Sequence, residues 1–403
     1  MLERTFKAFH YRDFRIMFLG ACLSTTGTFM QSVAQSWLVY LLSKSSFFLG
    51  LDSFLGQIPI VLLSLIGGAV ADRTERRKLL LGSQYVQMTC AFTLAALYGA
   101  GLITSRNFGL ILAMSFVVGV AQSFGGPAYS ALIPSLVKSE DVPNAIALNS
   151  IQFNLARVIG PMLGGIALGY SATWCFGLNG LSFVAVIISL YVIQTRFVPA
   201  KNGGSLMDSI KQGIHFIRGR EGMVGLIALA FLMTMLSFPI MVFLPVFAKD
   251  VFHGGPGMLT VLMCTSGAGS VVGALVVASL QRVRRRGRMA LLLLLVLGVL
   301  IVCFSLSTML PLSLVVIFLS GGVTMGVFAT VTSLVQLITP NDMRGRVMSV
   351  YNVALRGGMP VGSLVVGTLS VRFHTPPVLA VNGALLVLLS AWFLLVQRRV
   401  AAL

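Results

Sequence analysis

The sequence predicts an all-α membrane protein, with twelve transmembrane helices in two parallel six-helix pseudo-repeats. Three observations carry the prediction. Apolar runs of about 20 residues recur from end to end, the length that crosses about 30 Å of hydrocarbon at about 1.5 Å per residue. Only 10% of the 403 residues are charged and 57% are hydrophobic, whereas soluble domains carry roughly 25% charged residues. The basic residues gather in alternate loops, as the positive-inside rule requires. The runs lack the period-2 alternation of barrel strands, so helices must satisfy the backbone in lipid.

In order along the chain, spans are expected near 14–42, 47–71, 79–103, 107–132, 143–170 and 174–194, then near 222–248, 256–281, 289–309, 311–338, 346–370 and 376–397. No small-residue cleavage site follows a short apolar core at the start, so the first run is expected to stay as a membrane helix. With the N-terminus inside, 23 of the 29 Lys and Arg residues fall in inside segments, and only Lys44, Arg106, Lys249 and Arg372 fall outside. Both termini are therefore expected on the cytoplasmic side of a cell (inner or plasma) membrane. The net charge of +18 is accounted for by these loops, which argues against nucleic acid as a partner. Five cysteines (Cys22, Cys90, Cys175, Cys264, Cys303) all lie in apolar runs without CxxC spacing. They read as packing residues rather than a disulfide or zinc framework.

The division expected is an N-terminal bundle over 1–194, a cytoplasmic linker over 195–221 and a C-terminal bundle over 222–403. The linker holds Pro199, Asn202, Gly203 and Gly204, then Ser205-Leu206-Met207-Asp208 in the form of a capping box. Leu206, Ile210, Ile214 and Ile217 share one face of the helix it starts, while Asp208, Lys211, His215 and Arg218 point elsewhere. That pattern predicts a helix lying on the membrane surface, a disordered linker being the alternative.

A shift of 199 residues places Ser150 on Ser349, Arg157 on Arg356 and Pro161 on Pro360. Both segments follow an inside turn, Glu140-Asp141-Val142-Pro143 in one half and Pro340-Asn341-Asp342 in the other. Six spans separate the copies, so they share one orientation, as in transporters built from parallel repeats.

After the second span stands Gly68-x-x-x-Asp72-Arg73-x-x-Arg76-Arg77, and the fifth carries Gly160-Pro161-x-x-Gly164-Gly165, with a weaker echo at Arg356-Gly357-Gly358-Met359-Pro360-Val361-Gly362. The first resembles the loop signature of the major facilitator superfamily, and the second resembles the motif associated with its antiporters. Glu75 departs from the glycine many members have, and the matching second-half loop, Gln281-Arg282-Val283-Arg284-Arg285-Arg286, keeps the basic charge without the aspartate. Arg12-Asp13-Phe14-Arg15, Met30-Gln31 and Ala34-Gln35-Ser36-Trp37-Leu38-Val39-Tyr40 are similar to the exporter subgroup that includes enterobactin exporters and transmembrane secretion effectors. The resemblance covers nearly the whole chain. It implies the major facilitator fold, working as a monomer, and efflux of a small amphipathic compound such as a drug, siderophore or other metabolite, often by proton antiport. It also implies a latch in which Gly68, Asp72, Arg73, Arg76 and Arg77 meet the start of the eleventh span.

The residues support these roles physically. The Asp72 carboxylate, at an inside helix end beside arginines, can pair with a guanidinium or with a helix N-terminus and so bias one conformation. Gly160, Gly164 and Gly165 permit close helix approach, and Pro161 loosens the backbone ladder; static packing is the plainer explanation. Arg157 and Arg356 should lie about 20 Å and about 15 Å from the inside ends of their helices. A central arginine costs about 3 kcal/mol or more, so each should face a wet cavity or a hydrogen-bonding partner.

Ser24, Thr28, Gln31 and Gln35 share a face of the first helix; Ser150, Asn154 and Arg157 do so on the fifth, and Thr332 and Gln336 on the tenth. These stripes are candidates for the substrate pathway, with interhelical hydrogen bonding as the competing role. Phe231, Met233, Met235 and Phe238 on the seventh offer an adaptable apolar wall. Asp52 is the one carboxylate inside a span, in the outer part of the second helix, and is the candidate for proton coupling, or else a solvated helix-start residue. No phosphate loop occurs, and His10, His215, His253 and His374 are scattered. No enzyme, metal site or cofactor is expected. A fold of this kind serving as a lipid scramblase, receptor or assembly factor remains the other reading.

Overall fold

The computed structural model describes residues 6–194, 206–220, 222–279 and 286–396. Among these, every regular element is helical. The first six spans are α1 (Arg12–Ser43), α2 (Ser46–Arg73), α3 (Arg76–Gly99), α4 (Gly109–Leu132), α5 (Val142–Tyr170) and α6 (Ala172–Val192). The linker helix α7 (Leu206–Gly219) leads to α8 (Met223–Ser237), followed by α9 (Pro256–Ser279), α10 (Arg286–Leu306), α11 (Leu310–Ile338), α12 (Arg344–Phe373) and α13 (Thr375–Leu395). Setting α7 aside gives twelve spans. Eleven, counting Met223–Val251 as one, are long and apolar enough to cross a membrane. The exception is α3, which begins Arg76-Arg77-Lys78 and buries Ser83, Gln84 and Gln87 further along.

The seventh span differs from the continuous helix expected over 222–248. It proceeds from α8 through short turns, Pro239–Val242 and Leu244–Val246, into a π-helical turn, Phe247–Val251. Pro239 and Pro245 each remove a backbone donor and crowd the preceding turn, which breaks the regular ladder.

The chain divides into two compact units, residues 1–43 with 55–203, and residues 44–54 with 204–403. This differs from a boundary in the linker alone, because the first turns of α2 group with the second unit. There Ser46 Oγ lies 2.9 Å from Thr375 Oγ1, and Ser53 donates to Ser363 Oγ at 3.2 Å.

In the first unit, α1 packs on α5 and α6, and α3 on α4 and α6. The second repeats the scheme, with α8 on α12 and α13 and α10 on α11 and α13. Lipid supplies no hydrophobic drive between helices, so close backbone approach at small residues holds them together. A methyl on Gly298 would sit 2.7 Å from Gly383 O, and one on Gly383 would sit 2.7 Å from Gly298 O. Where the segment before α1 meets the start of α5, the Ala8 amide donates to Asn144 Oδ1 at 3.0 Å and the Tyr11 hydroxyl to Asp141 Oδ2 at 2.8 Å. Burial and the Asp141 hydrogen bond raise the Tyr11 phenol above its ordinary pKa.

The linker differs in one respect from a helix lying only on the membrane surface. Ser205 and residues 195–204 lie outside the described residues, as does the second-half basic loop over 281–285, but α7 is present and packs on α12. A methyl on Gly213 would stand 2.8 Å from Arg346 O, and Ile217 is buried. Of the expected apolar face, Ile217 is covered by protein and Ile214 is exposed, as are Lys211, His215 and Arg218.

Candidate functional site

The loop after α2 is tied to its own unit. Arg76 reaches Asp72 at 3.7 Å and donates to Ala131 O at 3.1 Å, so one guanidinium joins the ends of α2 and α4. Arg77 donates to Tyr191 O at 3.0 Å and stacks over the Tyr191 ring at 5.9 Å, fastening α3 to α6. Asp72 and Arg73 are exposed. Gly68 faces open space, and it is Gly67 that lies against the Ser123 carbonyl.

On α5, Gly160 and Gly164 press against α1: methyls there would meet Thr26 O at 2.8 Å and Met30 O at 2.9 Å. Pro161 is buried and Gly165 half-buried, and α5 runs on past both. Gly358 and Gly362 press against Phe231 and Met235 of α8 in the same manner, which places those two residues in helix packing. The glycine pairs are offset by 198 residues, whereas the arginines and prolines are offset by 199. At about 100° per residue, Arg157 lies about 60° around its helix from Gly160, and Arg356 about 160° from Gly358. That rotation explains why Arg157 is half-buried and Arg356 exposed. Among the described residues neither makes a hydrogen bond or ion pair.

The polar stripe of α1 splits in two. Asn179 of α6 donates to Gln31 Oε1 at 2.7 Å, Gln31 to Gln35 Oε1 at 3.4 Å and Gln35 to Ser115 of α4 at 2.8 Å. Those amides bind α1 to its neighbours. Asn154 donates to Ser150 O at 2.8 Å; Thr332 lies 2.9 Å from the Tyr351 hydroxyl, and Gln336 is exposed. Asp52 is 9% exposed.

The other half of the stripe, Ser24 and Thr28, borders a cavity of about 400 Å³ inside the first unit. Gln57, Gln84, Gln87, Gln122 and Tyr129 also face it, together with Phe29, Phe153 and Phe183. Sequence reading passed over these glutamines, although amides deep in apolar runs are a signal in themselves. Gln87 is engaged by Ser83 at 3.0 Å, and the Tyr129 hydroxyl donates to Asn149 at 2.6 Å. Gln84 is 9% exposed, and its Oε1 has no hydrogen-bond partner among the described residues.

The sequence model describing transmembrane secretion effectors matches residues 4–402. The enterobactin exporter EntS of Shigella boydii serotype 4 is 25% identical over 384 residues, covering 95% of this chain and 91% of that protein. EntS of Escherichia coli O1:K1 matches equally, at 25% over the same shares. Among solved structures, a bacterial homologue of the human lysosomal transporter Spinster, inward-facing and occupied, superposes with a TM-score of 0.77 at 13% identity, covering 96% of this chain and 97% of the other. A bacterial homologue of the iron transporter ferroportin gives a TM-score of 0.71 at 17% identity over 94% and 98%.

Proposed function

The chain belongs to the transmembrane secretion effector family of the major facilitator superfamily, and on that premise we propose that it exports a small amphipathic compound by alternating access, in exchange for protons. A multi-pass membrane protein and secondary transporter is what the family and the twelve spans amount to. The direction and the exchange ion are the further step. The carrying observation is that Arg157 and Arg356 sit in corresponding spans, each without a bonding partner among the described residues. A guanidinium costs about 3 kcal/mol or more at mid-membrane unless it is hydrated or paired, so helices that keep two of them border water. Water beside a span in each unit is what a carrier needs and what a static bundle has no use for.

In this reading Asp72, Arg73, Arg76 and Arg77 at the inner end of α2 bias one access state, and Gly160, Pro161, Gly164 and Gly165 let α5 rock against α1. Gly68 leaves that loop room to move. Gln336 extends the polar route on α11, and Asp52 exchanges the proton. Gln31 and Gln35 act by holding α1 to α6 and α4 beside the route, and Asn154 adds a polar side chain to it on α5. Both termini lie in the cytoplasm and the working unit is a monomer. Because two relatives are named as enterobactin exporters, siderophores are the first solutes to try.

The experiment is transport in vesicles containing the purified protein, with a panel of drugs and siderophores and with or without an imposed pH gradient. Saturable efflux that accelerates with an inward proton gradient is expected. Passive, unsaturable lipid exchange would favour a scramblase on the same fold, and no flux of any panel member in either direction would count against a carrier.

A further inference from the structure

We propose that the groove between the end of α7, α8 and the last turns of α13 is a binding site for an anionic phospholipid, with Arg218 and Arg220 holding the headgroup phosphate and the apolar wall beyond them holding one acyl chain. The site lies wholly within the second unit. It needs only a chain seated in a bilayer, so it stands whether or not the chain carries a solute. Its volume is about 410 Å³. Arg218 and Arg220 precede the first residue of α8 and so stand at the groove's end, and Val224, Ala228, Leu232, Leu389 and Phe393 line the rest. From Gly222 to Leu232 the groove follows α8 for about 15 Å at about 1.5 Å per residue. That is the depth of one leaflet of a hydrocarbon core about 30 Å thick.

The polar end is built for an anion. Both arginines are exposed, and among the described residues neither side chain makes a hydrogen bond or ion pair. No described side chain lining the groove is acidic; Glu221, next to Arg220 in the sequence, lies outside the described residues. A guanidinium fork matches two phosphate oxygens at once. Gly222, the N-cap of α8, also lines the groove and brings no side chain to cap the first-turn amides, so the positive end of α8 adds to the same field.

The apolar end is open to lipid. Val224 and Trp392 border it and are 53% and 47% exposed, so an acyl chain can enter from the side. The Trp392 indole, apolar with one N–H, favours the headgroup level and sets the depth at which the phosphate sits. A free anion would gain nothing from the apolar wall, and an uncharged tail would leave both arginines unused. A choline headgroup would bring a further cation beside them. Phosphatidylglycerol satisfies both ends, as basic pockets between spans at a membrane surface do with anionic headgroups.

The chain has three tryptophans, so Trp37→Phe with Trp174→Phe leaves Trp392 as the only indole. The full chain is placed in phosphatidylcholine nanodiscs, one copy per disc, with a small fraction of phosphatidylglycerol or phosphatidylcholine brominated in the upper part of its acyl chains, which quenches an indole on contact. Brominated phosphatidylglycerol should be preferred at Trp392 about 25-fold over brominated phosphatidylcholine. Arg218→Gln and Arg220→Gln should each lower that preference about fivefold, the equivalent of about 1 kcal/mol per basic residue at a membrane surface. Ala228→Phe, which narrows the wall without touching the arginines, should also weaken quenching by phosphatidylglycerol, and soluble glycerol phosphate should not displace the lipid. Lipids retained by the unaltered chain in native mass spectrometry give the same preference should the single-tryptophan background fold poorly. A preference below about threefold overturns the proposal, as does one that survives both glutamine substitutions or Ala228→Phe. Displacement by glycerol phosphate would make the site one for a free phosphate, and quenching by neither lipid would mean that a second copy or another segment covers the groove; either result overturns it too.

Discussion

The Arg76 guanidinium at the start of α3 stands 3.7 Å from the Asp72 carboxylate at the end of α2, on a side chain that also holds the Ala131 carbonyl. Asp72 keeps 63% of its side-chain surface exposed, so this ion pair contributes only about 0 to 1 kcal/mol to stability. Asp72→Asn should therefore leave the thermal midpoint within about 2 °C of wild type. If the carboxylate biases an access state, the same variant should lower initial transport rates at least fivefold at equal expression. Wild-type rates would remove the latch from the mechanism.

Arg157 and Arg356 should respond differently to a shorter cation. Glutamine at either position removes the charge, and about tenfold slower efflux is expected from each, the equivalent of about 1.4 kcal/mol. Lysine carries a strongly hydrated point charge without the planar fork. It should restore most activity at exposed position 356 and little at half-buried position 157. Vesicle transport by the four single variants tests this, and equal rescue at both sites would refute the rotational asymmetry drawn from the glycine pairs.

How much of this was legible in the sequence follows from the range of the forces involved. Apolar runs report a helix's relation to lipid, which is local, and the twelve spans could be placed from them. The arginines and prolines at a 199-residue spacing disclosed the repeat for the same reason. Which polar group is free depends on a partner elsewhere in the chain. Gln31 and Gln84 look alike in sequence, yet Asn179, 148 residues away, satisfies the first and nothing among the described residues satisfies the Oε1 of the second. The break after α8 was visible in Pro239 and Pro245, but membrane helices often continue through proline, as α5 does at Pro161.

The Asn179–Gln31–Gln35–Ser115 chain predicts a coupled loss of stability. Asn179→Leu strips the donor from Gln31 and should cost about 1 to 3 kcal/mol. Gln31→Leu should cost a similar amount, and the double variant less than the sum, because both remove one hydrogen bond. Thermal unfolding in detergent reads this; strict additivity would show that the two side chains act separately.

The docking of α7 on α12 turns on Gly213. Even a methyl there would press on the Arg346 carbonyl at 2.8 Å, and Gly213→Val adds branching that the backbone cannot accommodate. The variant should expose the linker helix to limited proteolysis between residues 206 and 220, with spans on either side intact. A cleavage pattern identical to wild type would mean that α7 is not held by this contact.

The proposed coupling turns on Asp52. It lies about 30 Å along α2 from Asp72 at about 1.5 Å per residue and is 9% exposed. A carboxyl withdrawn from bulk water at that depth can carry a proton only if its surroundings open to each side in turn. Asp52→Asn keeps the shape and removes the titration. Efflux driven by an imposed pH gradient should then fall to the rate without a gradient, while solute counterflow, which needs no net proton movement, persists. Proton-linked efflux at wild-type rates in the variant would eliminate Asp52 as the carrier. Loss of counterflow as well would mark Asp52 as part of the packing of α2 instead.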